Sequence, residues 1–378
     1  MQFRDLKKQY QELKEEINNE VLKVMNDANF IMGNQVQELE NNLAEYVGVK
    51  HCISCGNGTD ALQLAAMAVG IKEGDAVFVP DFTFFASGEI VSLLGATPIF
   101  VDVNPKTFNM DYQKLEKKIC DVIERGALKP KAIVAVDLFG LPADFPKINL
   151  IANKYNLTVI EDGAQGFGGQ IGNERACGFA EIGTTSFFPA KPLGCYGDGG
   201  AIFTNNDDWA SIIKSYRVHG KGDNKYDNVR IGINSRLDTI QAAILKVKLR
   251  AFREFELLDV NKVADKYNEL LKSIDQIKLP FIPENFISSW AQYTIQLDNK
   301  EKRDKLKEYL KEDGVPSMVY YPKPMSKQQA FEASSKYTDD LNVTSKLCDT
   351  VLSLPMHPYL SSEDIEKVSR IIRKFFDD

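Results

Sequence analysis

One lysine of this chain lies in a setting that suits covalent chemistry. Two short apolar runs, 186–188 and 201–203, flank a turn rich in glycine and proline, and Lys191 lies within that turn. The pattern predicts that Lys191 is held at the mouth of a sheet. Burial there would lower the pKa of the amine and free it as a nucleophile for Schiff-base chemistry. The alternative is a surface lysine in a hairpin.

A glycine turn that opens a helix is a second candidate site. Residues 56–62 read GNGTDAL. Gly58 lets the backbone approach a ligand closely, Thr59 adds a hydroxyl, and the helix N-terminus offers free N–H groups, so the turn suits a phosphate. It matches neither the P-loop nor the dinucleotide-binding glycine motif, which disfavours ATP and NAD. The alternative is an ordinary helix cap.

Two acidic residues, Glu161 and Asp162, follow a predicted buried strand. A carboxylate in this position is costly unless it meets a cation. The protonated ring nitrogen of pyridoxal phosphate is such a cation, and the pairing makes that ring an electron sink. Gln165 could contact the ring from the same turn. Two alternatives stay open: Glu161 is the buried partner, or Asp162 only caps the next turn.

An aromatic residue and a serine complete the candidate set. Phe84 lies in an aromatic segment that follows another predicted strand, and such a ring could stack on a flat heterocycle or belong to the core. Ser186 precedes Lys191 by five residues, and its hydroxyl could bind a phosphate oxygen. A strand serine without any role is the alternative.

Composition narrows the class of protein. The 378 residues suggest two domains, and 44% hydrophobic with 26% charged residues is ordinary for a globular enzyme. With 46 basic and 53 acidic side chains the net charge is −7, which argues against a nucleic-acid-binding surface. We find no bilayer-length apolar run and no signal-peptide pattern near Met1, and expect a cytoplasmic protein. Six scattered cysteines are expected to be free thiols, and three histidines leave little material for a metal site, so no metal is expected.

The order of apolar segments predicts an α/β fold. Two amphipathic helices, 6–24 and 36–47, come first. Strand-like runs then alternate with helix-length segments, which predicts a mostly parallel seven-stranded sheet with helices on both faces and ligands at the carboxyl ends of its strands. We place a large domain at 1–250 and a smaller C-terminal α/β domain at 251–378. The predicted strands are 52–54, 76–80, 98–101, 132–136, 157–160, 184–188 and 201–204.

Taken together, the motifs resemble those of the DegT/DnrJ/EryC1/StrS nucleotide-sugar aminotransferases. The likeness runs nearly the whole length, and within the group the chain looks most like bacterial UDP-2-acetamido-2-deoxy-3-oxo-glucuronate aminotransferases. The motifs that carry it are Asp162-x-x-Gln165, Ser186-Phe187-x-x-x-Lys191, Gly197-Asp198-Gly199-Gly200 and Asn234-Ser235-Arg236.

The resemblance implies a fold-type I enzyme that uses pyridoxal 5′-phosphate and works as a homodimer with active sites at the subunit interface. Its reaction would move an amino group from an amino acid, L-glutamate, to a keto-sugar nucleotide, a UDP-linked 3-oxo-sugar, for surface polysaccharide or glycan synthesis. Lys191 would form the Schiff base and move the proton. Asp162 would pair with the ring nitrogen, Gln165 would contact the ring, and Phe84 would stack on it.

By the same resemblance, Gly58, Thr59 and Ser186 would hold the cofactor phosphate. Asn234 would reach the phosphate of the cofactor in the neighbouring subunit. Arg236 would lie near the sugar nucleotide, where a guanidinium could pair with a carboxylate or a phosphate.

One segment departs from the family pattern. Residues 319–322 read VYYP, where relatives often have histidine and then tyrosine before the proline, so Tyr320 changes the charge and shape of the sugar pocket beside Tyr321. The sugar therefore stays open between a uronic acid and a neutral sugar, and between 3-oxo and 4-oxo. Two other hypotheses follow: an aminotransferase for a UDP- or dTDP-linked 4-oxo-sugar, and a catalytically silent sugar-nucleotide-binding relative.

Overall fold

A computed structural model describes residues 1–224, 226–337 and 341–377. The helices are α1 (Leu6–Asp27), α2 (Asn34–Val47), α3 (Gly58–Val69), α4 (Ala86–Leu93), α5 (Tyr112–Arg125), α6 (Phe145–Tyr155), α7 (Asp207–Tyr216), α8 (Thr239–Ala251), α9 (Leu257–Leu271), α10 (Lys300–Glu312), α11 (Asn342–Thr350) and α12 (Ser362–Asp377). The strands are β1 (His51–Cys55), β2 (Asp75–Pro80), β3 (Thr97–Val101), β4 (Lys129–Val136), β5 (Thr158–Asp162), β6 (Gln170–Ile171), β7 (Glu174–Arg175), β8 (Ile182–Ser186), β9 (Gly200–Thr204), β10 (Ile277–Lys278), β11 (Phe286–Ile287), β12 (Tyr293–Leu297) and β13 (Val351–Leu354).

A seven-stranded sheet in the order β1-β9-β8-β5-β4-β2-β3 organises the larger part of the chain. The pairs β2–β3, β2–β4, β4–β5 and β5–β8 are parallel, whereas β9 runs antiparallel to both of its neighbours. The prediction of a mostly parallel seven-stranded sheet is confirmed. At the candidate site two strand ends differ from the predicted ones: β5 extends to Asp162 and not only to residue 160, and β8 already ends at Ser186 and not at residue 188.

Helices cover both faces of this sheet because successive side chains of its strands point to opposite faces and are apolar on both. Along β2, Val77 and Val79 belong to a core with α3, α4 and α7, while Ala76 and Phe78 belong to the opposite core with α5 and α6. A further core joins α2 and α8 to β1 and β9. The parallel strands therefore end at one common edge, where the turns after β5 and β8 lie beside each other.

A second sheet, β10-β12-β13, lies in the C-terminal part of the chain and packs against α9, α10 and α12. Its core contains the ring pair Tyr267 and Tyr293, with centroids 4.9 Å apart. The predicted domain boundary at residue 250 lies near the end of α8, and the helical backbone continues through 252–256 into α9. The division into 1–250 and 251–378 stays a prediction.

A buried ion pair ties the N-terminal helices to the sheet. Arg217 Nη1 donates to Glu40 Oε1 at 2.6 Å, and the two side chains are 6% and 5% exposed. Glu40 also accepts hydrogen bonds from the backbone and hydroxyl of Ser54 in β1, and Arg217 donates to the Ser54 carbonyl. The pair therefore anchors the segment that follows α7, which carries Asn234 and Arg236.

Replacing one member of this pair should be strongly destabilising. Arg217→Met leaves the Glu40 carboxylate buried without its cation, which we expect to lower the free energy of unfolding by about 3–5 kcal/mol. Urea denaturation of the holoprotein measures this. The double variant Glu40→Gln/Arg217→Met removes both charges and should lose less than Arg217→Met alone. A single-variant loss below ~1 kcal/mol, the range of exposed pairs, contradicts this assignment.

Candidate active site

Lys191 lies in the turn that leaves β8, and its side chain is half-buried. Its backbone N–H donates to the Phe188 carbonyl at 2.9 Å, so the turn is ordered around it. Burial lowers the pKa of the Lys191 amine; the negative charge of Asp162 opposes this shift, and the positive charge of Arg4 adds to it. This position at the sheet edge favours the predicted reactive lysine over an isolated surface lysine.

Asp162, the last residue of β5, lies near the Lys191 amine. Its Oδ2 accepts a hydrogen bond of 2.7 Å from the Ser87 hydroxyl, and its Oδ1 accepts one of 3.2 Å from the Ala164 backbone, so it also caps the following turn. Burial raises the pKa of Asp162, and these hydrogen bonds together with the charge of Lys191 partly offset the rise. Asp162 and Lys191 are thus near enough to shift each other's pKa.

The neighbouring Glu161 is buried as well, but it serves the opposite side of the strand. Its carboxylate accepts backbone hydrogen bonds from Cys177 and Phe179. Burial raises the pKa of Glu161 to about 7, and Asp137 lies beside it. Because adjacent strand residues point to opposite faces, the structure leaves Asp162, not Glu161, on the side of Lys191.

Gln165 links the turn after β5 to the C-terminal part of the chain. Its Oε1 accepts from the Phe139 backbone at 2.8 Å, and its Nε2 donates to the Tyr321 hydroxyl at 3.0 Å. The Tyr321 ring lies 6.4 Å from that of Phe84, whose side chain is 55% exposed. The structure therefore brings Gln165, Tyr321 and Phe84 together. The exposed face of the Phe84 ring is free to meet a flat ring.

The start of α3 meets Ser186 at the same edge. A Cβ added to Gly58 would lie 2.5 Å from the Ser186 Cβ, so only glycine fits at this position. Thr59 follows in the first turn of α3, and Asn57 caps the helix by accepting from the Asp60 backbone at 2.8 Å. Gly58, Thr59 and Ser186 thus form a small cradle at a helix N-terminus, which fits the phosphate of a cofactor attached at Lys191.

This close approach gives a direct test of the cradle. In Gly58→Ala the added methyl must push α3 away from Ser186, so we expect pyridoxal phosphate to bind roughly 10-fold more weakly or worse, about 1.4 kcal/mol. Fluorescence titration of the apoprotein with pyridoxal phosphate measures the affinity. Gly178→Ala adds a methyl in a crowded place away from the cradle, against Val47, and should bind the cofactor as the original protein does. Unchanged affinity in Gly58→Ala rules out this phosphate site.

Asn234 and Arg236 lie in the segment between α7 and α8. Ser235 between them donates to Asp60 Oδ2 at 2.6 Å and accepts from the Gly56 backbone at 2.8 Å, which ties the segment to the start of α3. Asn234 is exposed, and Arg236 is half-buried beside an open cavity of about 1020 Å³. The single chain thus holds both residues near the cradle without placing Asn234 in it.

Tyr320 lies beside Tyr321 and is half-buried. Its ring centroid is 6.2 Å from that of Phe3 and 5.8 Å from that of Tyr321. Tyr320 and Tyr321 therefore form an aromatic wall that the N-terminal segment supports from behind. Their roles toward a sugar stay predictions.

Sequence reasoning missed two residues of this site. Ser87 lies at the start of α4, and its hydroxyl orients Asp162 and lies 3.2 Å from the Thr83 hydroxyl. A serine just after the aromatic segment 82–85 was the available signal. Arg4 donates to the Lys191 carbonyl although the two residues lie 187 positions apart, so no local sequence pattern predicts this contact.

Within the described ranges, no cluster of three or more histidine, cysteine, aspartate or glutamate residues could hold a metal ion. Among the same residues, no helix has the length and apolar character needed to span a bilayer.

The chain is similar in sequence and in structure to known aminotransferases. A UDP-2-acetamido-2-deoxy-3-oxo-D-glucuronate aminotransferase from Pseudomonas aeruginosa is 48% identical over 366 residues, which cover 97% of this chain and 98% of that protein. The crystal structure of a DegT DnrJ EryC1 StrS aminotransferase from Brucella abortus superposes with a TM-score of 0.96 at 48% identity and covers 100% of both chains. NtdA from Bacillus subtilis, solved with bound cofactor PMP, has a TM-score of 0.88 at 31% identity over 97% of this chain and 82% of that one. Residues 11–373 match one family along almost the whole chain, and this protein belongs to the DegT/DnrJ/EryC1/StrS aminotransferase family.

Proposed function

We propose that this aminotransferase uses pyridoxal phosphate to move an amino group from L-glutamate to a UDP-linked 3-oxo-sugar, as a homodimer in the cytoplasm. The observation that carries the proposal is that Lys191 and Asp162 lie near enough to shift each other's pKa, at the same edge of the sheet where Gly58 meets Ser186. A nucleophilic amine, a carboxylate for a ring nitrogen and a phosphate cradle are the three parts that this cofactor requires.

The protein's own groups supply binding and proton transfer. Because burial and the charge of Arg4 lower the pKa of Lys191, more of its amine is neutral at a given pH, and a neutral amine can act as nucleophile and base. Asp162 is held by Ser87 and Ala164 so that its carboxylate keeps one orientation. Once bound, pyridoxal phosphate supplies the electron sink that makes the amino-acid Cα–H acidic.

The substrate assignment is supported by similarity and by the chemistry of the cleft. The Pseudomonas relative is named for a UDP-linked 3-oxo-glucuronate, and the two chains align almost end to end. Arg236 offers a guanidinium for a diphosphate or carboxylate, while Tyr320 and Tyr321 offer hydroxyls and flat apolar rings for a sugar. The product would serve surface polysaccharide or glycan assembly.

The dimer and the compartment are proposed on different grounds. Ile231 is 90% and Val229 is 54% exposed beside the open cavity that Arg236 lines, and Phe188 is 51% exposed near Lys191. Apolar side chains of this size gathered around a site are typical of a surface that a partner covers, and exposed Asn234 would then reach the partner's cofactor phosphate. The six cysteines are all free thiols, which suits the reducing cytoplasm.

The decisive experiment supplies the purified protein with glutamate and one keto-sugar nucleotide at a time. UDP-linked 3-oxo-sugars, as the uronic acid and as the neutral sugar, are compared with UDP- and dTDP-linked 4-oxo-sugars, and mass spectrometry identifies the amino-sugar product. We expect the 3-oxo uronic acid to give the largest kcat/KM. Preference for a 4-oxo-sugar selects the alternative aminotransferase. A protein that pyridoxal phosphate cannot colour, or whose colour glutamate does not bleach, refutes the proposed chemistry and favours the silent binding relative.

A further inference from the structure

The N-terminal segment reaches the active-site turn before α1 begins. Arg4 Nη2 donates to the carbonyl of Lys191 at 2.7 Å and to that of Pro192 at 3.3 Å. The Phe3 carbonyl accepts from the Met356 backbone at 3.1 Å, and the Phe3 ring packs against Tyr320. Residues 3 and 4 therefore connect the Lys191 turn with the aromatic wall and the C-terminal part of the chain.

The Lys191 turn needs such a support. It lies outside β8, and its backbone hydrogen bonds run from the Lys191 N–H to the Phe188 carbonyl and from the Cys195 N–H to the Phe187 carbonyl, so neither of them holds the two carbonyls that Arg4 contacts. A planar guanidinium that serves two successive carbonyls restrains the peptide planes on which the lysine side chain is mounted. The side chain of Lys191 has four rotatable carbon–carbon bonds, so its amine can be placed accurately only if its backbone is held.

Charges around the two residues come from several elements. Asp162 of β5 and Arg4 both lie near enough to the Lys191 amine to shift its pKa, in opposite directions. The titratable groups that also face Arg4 are Lys248 of α8, Glu256, His357 and Tyr359. Glu256 accepts hydrogen bonds from Gln9 and Tyr359, which leaves Arg4 bonded to the turn and not to this carboxylate.

We propose that Arg4 is a positioning residue for the amino transfer: its guanidinium holds the Lys191–Pro192 peptide planes and so directs the Lys191 amine toward Asp162. The inference rests on the proposed function for its catalytic consequence but not for its structural one. The sequence motif around Lys191 does not include this arginine, because Arg4 and Lys191 lie 187 residues apart in the chain.

The test compares Arg4→Met, Arg4→Lys and the control Lys7→Met, which removes an exposed positive charge three residues further on, in the first turn of α1. Competitive labelling of the apoprotein with trace acetic anhydride, read by mass spectrometry at Lys191, reports the pKa of that amine. For the holoprotein, the visible absorption of the bound cofactor is titrated against pH, and kcat and KM are measured with glutamate. Thermal unfolding shows which variants are folded.

For Arg4→Met we expect the labelling pKa of Lys191 to rise, because a nearby positive charge no longer disfavours the protonated amine. The kcat should fall roughly 10- to 100-fold, with KM for glutamate changing less than about threefold. Arg4→Lys keeps the charge, but its amine ends one bond short of the Nη2 atom that makes both contacts, so it should restore the labelling pKa and only part of kcat. Lys7→Met should match the original protein in every measurement.

Two results overturn the inference: a folded Arg4→Met with the labelling pKa and kcat of Lys7→Met, or an Arg4→Lys variant that recovers full kcat. If Arg4→Met does not fold, the kcat of Arg4→Lys decides: a partial loss supports the inference, and full kcat overturns it. The labelling needs neither cofactor nor sugar, so it stands even if the proposed reaction fails; that failure would appear instead as absence of product from the unsubstituted protein.

Discussion

The Lys191→Ala protein is expected to lose turnover by roughly 10³-fold or more while it still binds pyridoxal phosphate. The substitution removes the amine that would bond to the cofactor aldehyde and carry the proton afterwards. It leaves the Gly58–Ser186 cradle and Asp162 unchanged, so noncovalent binding should survive.

Borohydride reduction followed by peptide mass spectrometry checks this directly. In the original protein the peptide that contains Lys191 should gain the mass of the reduced cofactor, and in the variant no peptide should. Lys14→Ala, an exposed lysine on α1, is the matched control and should retain both turnover and the modified peptide. Unimpaired turnover in Lys191→Ala would remove the mechanism.

The second large effect is expected from Asp162→Asn. The variant keeps the size of the side chain and a hydrogen bond with Ser87, but it removes the negative charge that faces Lys191 and the ring-nitrogen position. We expect kcat/KM to fall roughly 10²- to 10³-fold. The labelling pKa of Lys191 should fall as well, because the charge of Asp162 raises it.

The pH dependence of activity provides a second test of the role of Asp162. Burial raises the pKa of Asp162 above the usual aspartate value, so its carboxylate gains a proton at a higher pH than an exposed aspartate would. As the pH is lowered, activity should therefore begin to fall at a higher pH than it would if an exposed carboxylate were responsible. The Asp162→Asn variant should not show this acidic decline.

Glu161→Gln is the matched control, because it alters a buried carboxyl of the same strand on the other face. We expect it to cost stability by disturbing the bonds to Cys177 and Phe179, with the cofactor absorption unchanged. If Glu161→Gln alters the absorption and Asp162→Asn does not, the roles of the two carboxyls have been exchanged.

Much of the site could be predicted because its parts lie at strand ends. Short continuous apolar runs placed Asp162, Ser186 and Lys191 at or near the carboxyl ends of β5 and β8, and parallel strands must deliver such residues to one edge. The apolar pattern alone could not choose between Glu161 and Asp162, since both follow the same run, and only the family resemblance favoured Asp162. The alternation of side chains along β5 and the contacts of each carboxyl make that choice in the structure.

The sequence by itself determined the α/β class, the seven strands and the family, because hydrophobic period and motif spacing are local properties. Only the tertiary structure decided that Ser87 orients Asp162, that Ser235 ties the Asn234–Arg236 segment to α3, and that Arg4 supports the Lys191 turn. These contacts join residues 75 to 187 positions apart. The physical reason is that a hydrogen bond between distant residues has no periodic signature and exists only once the sheet and helices have fixed the distance between them.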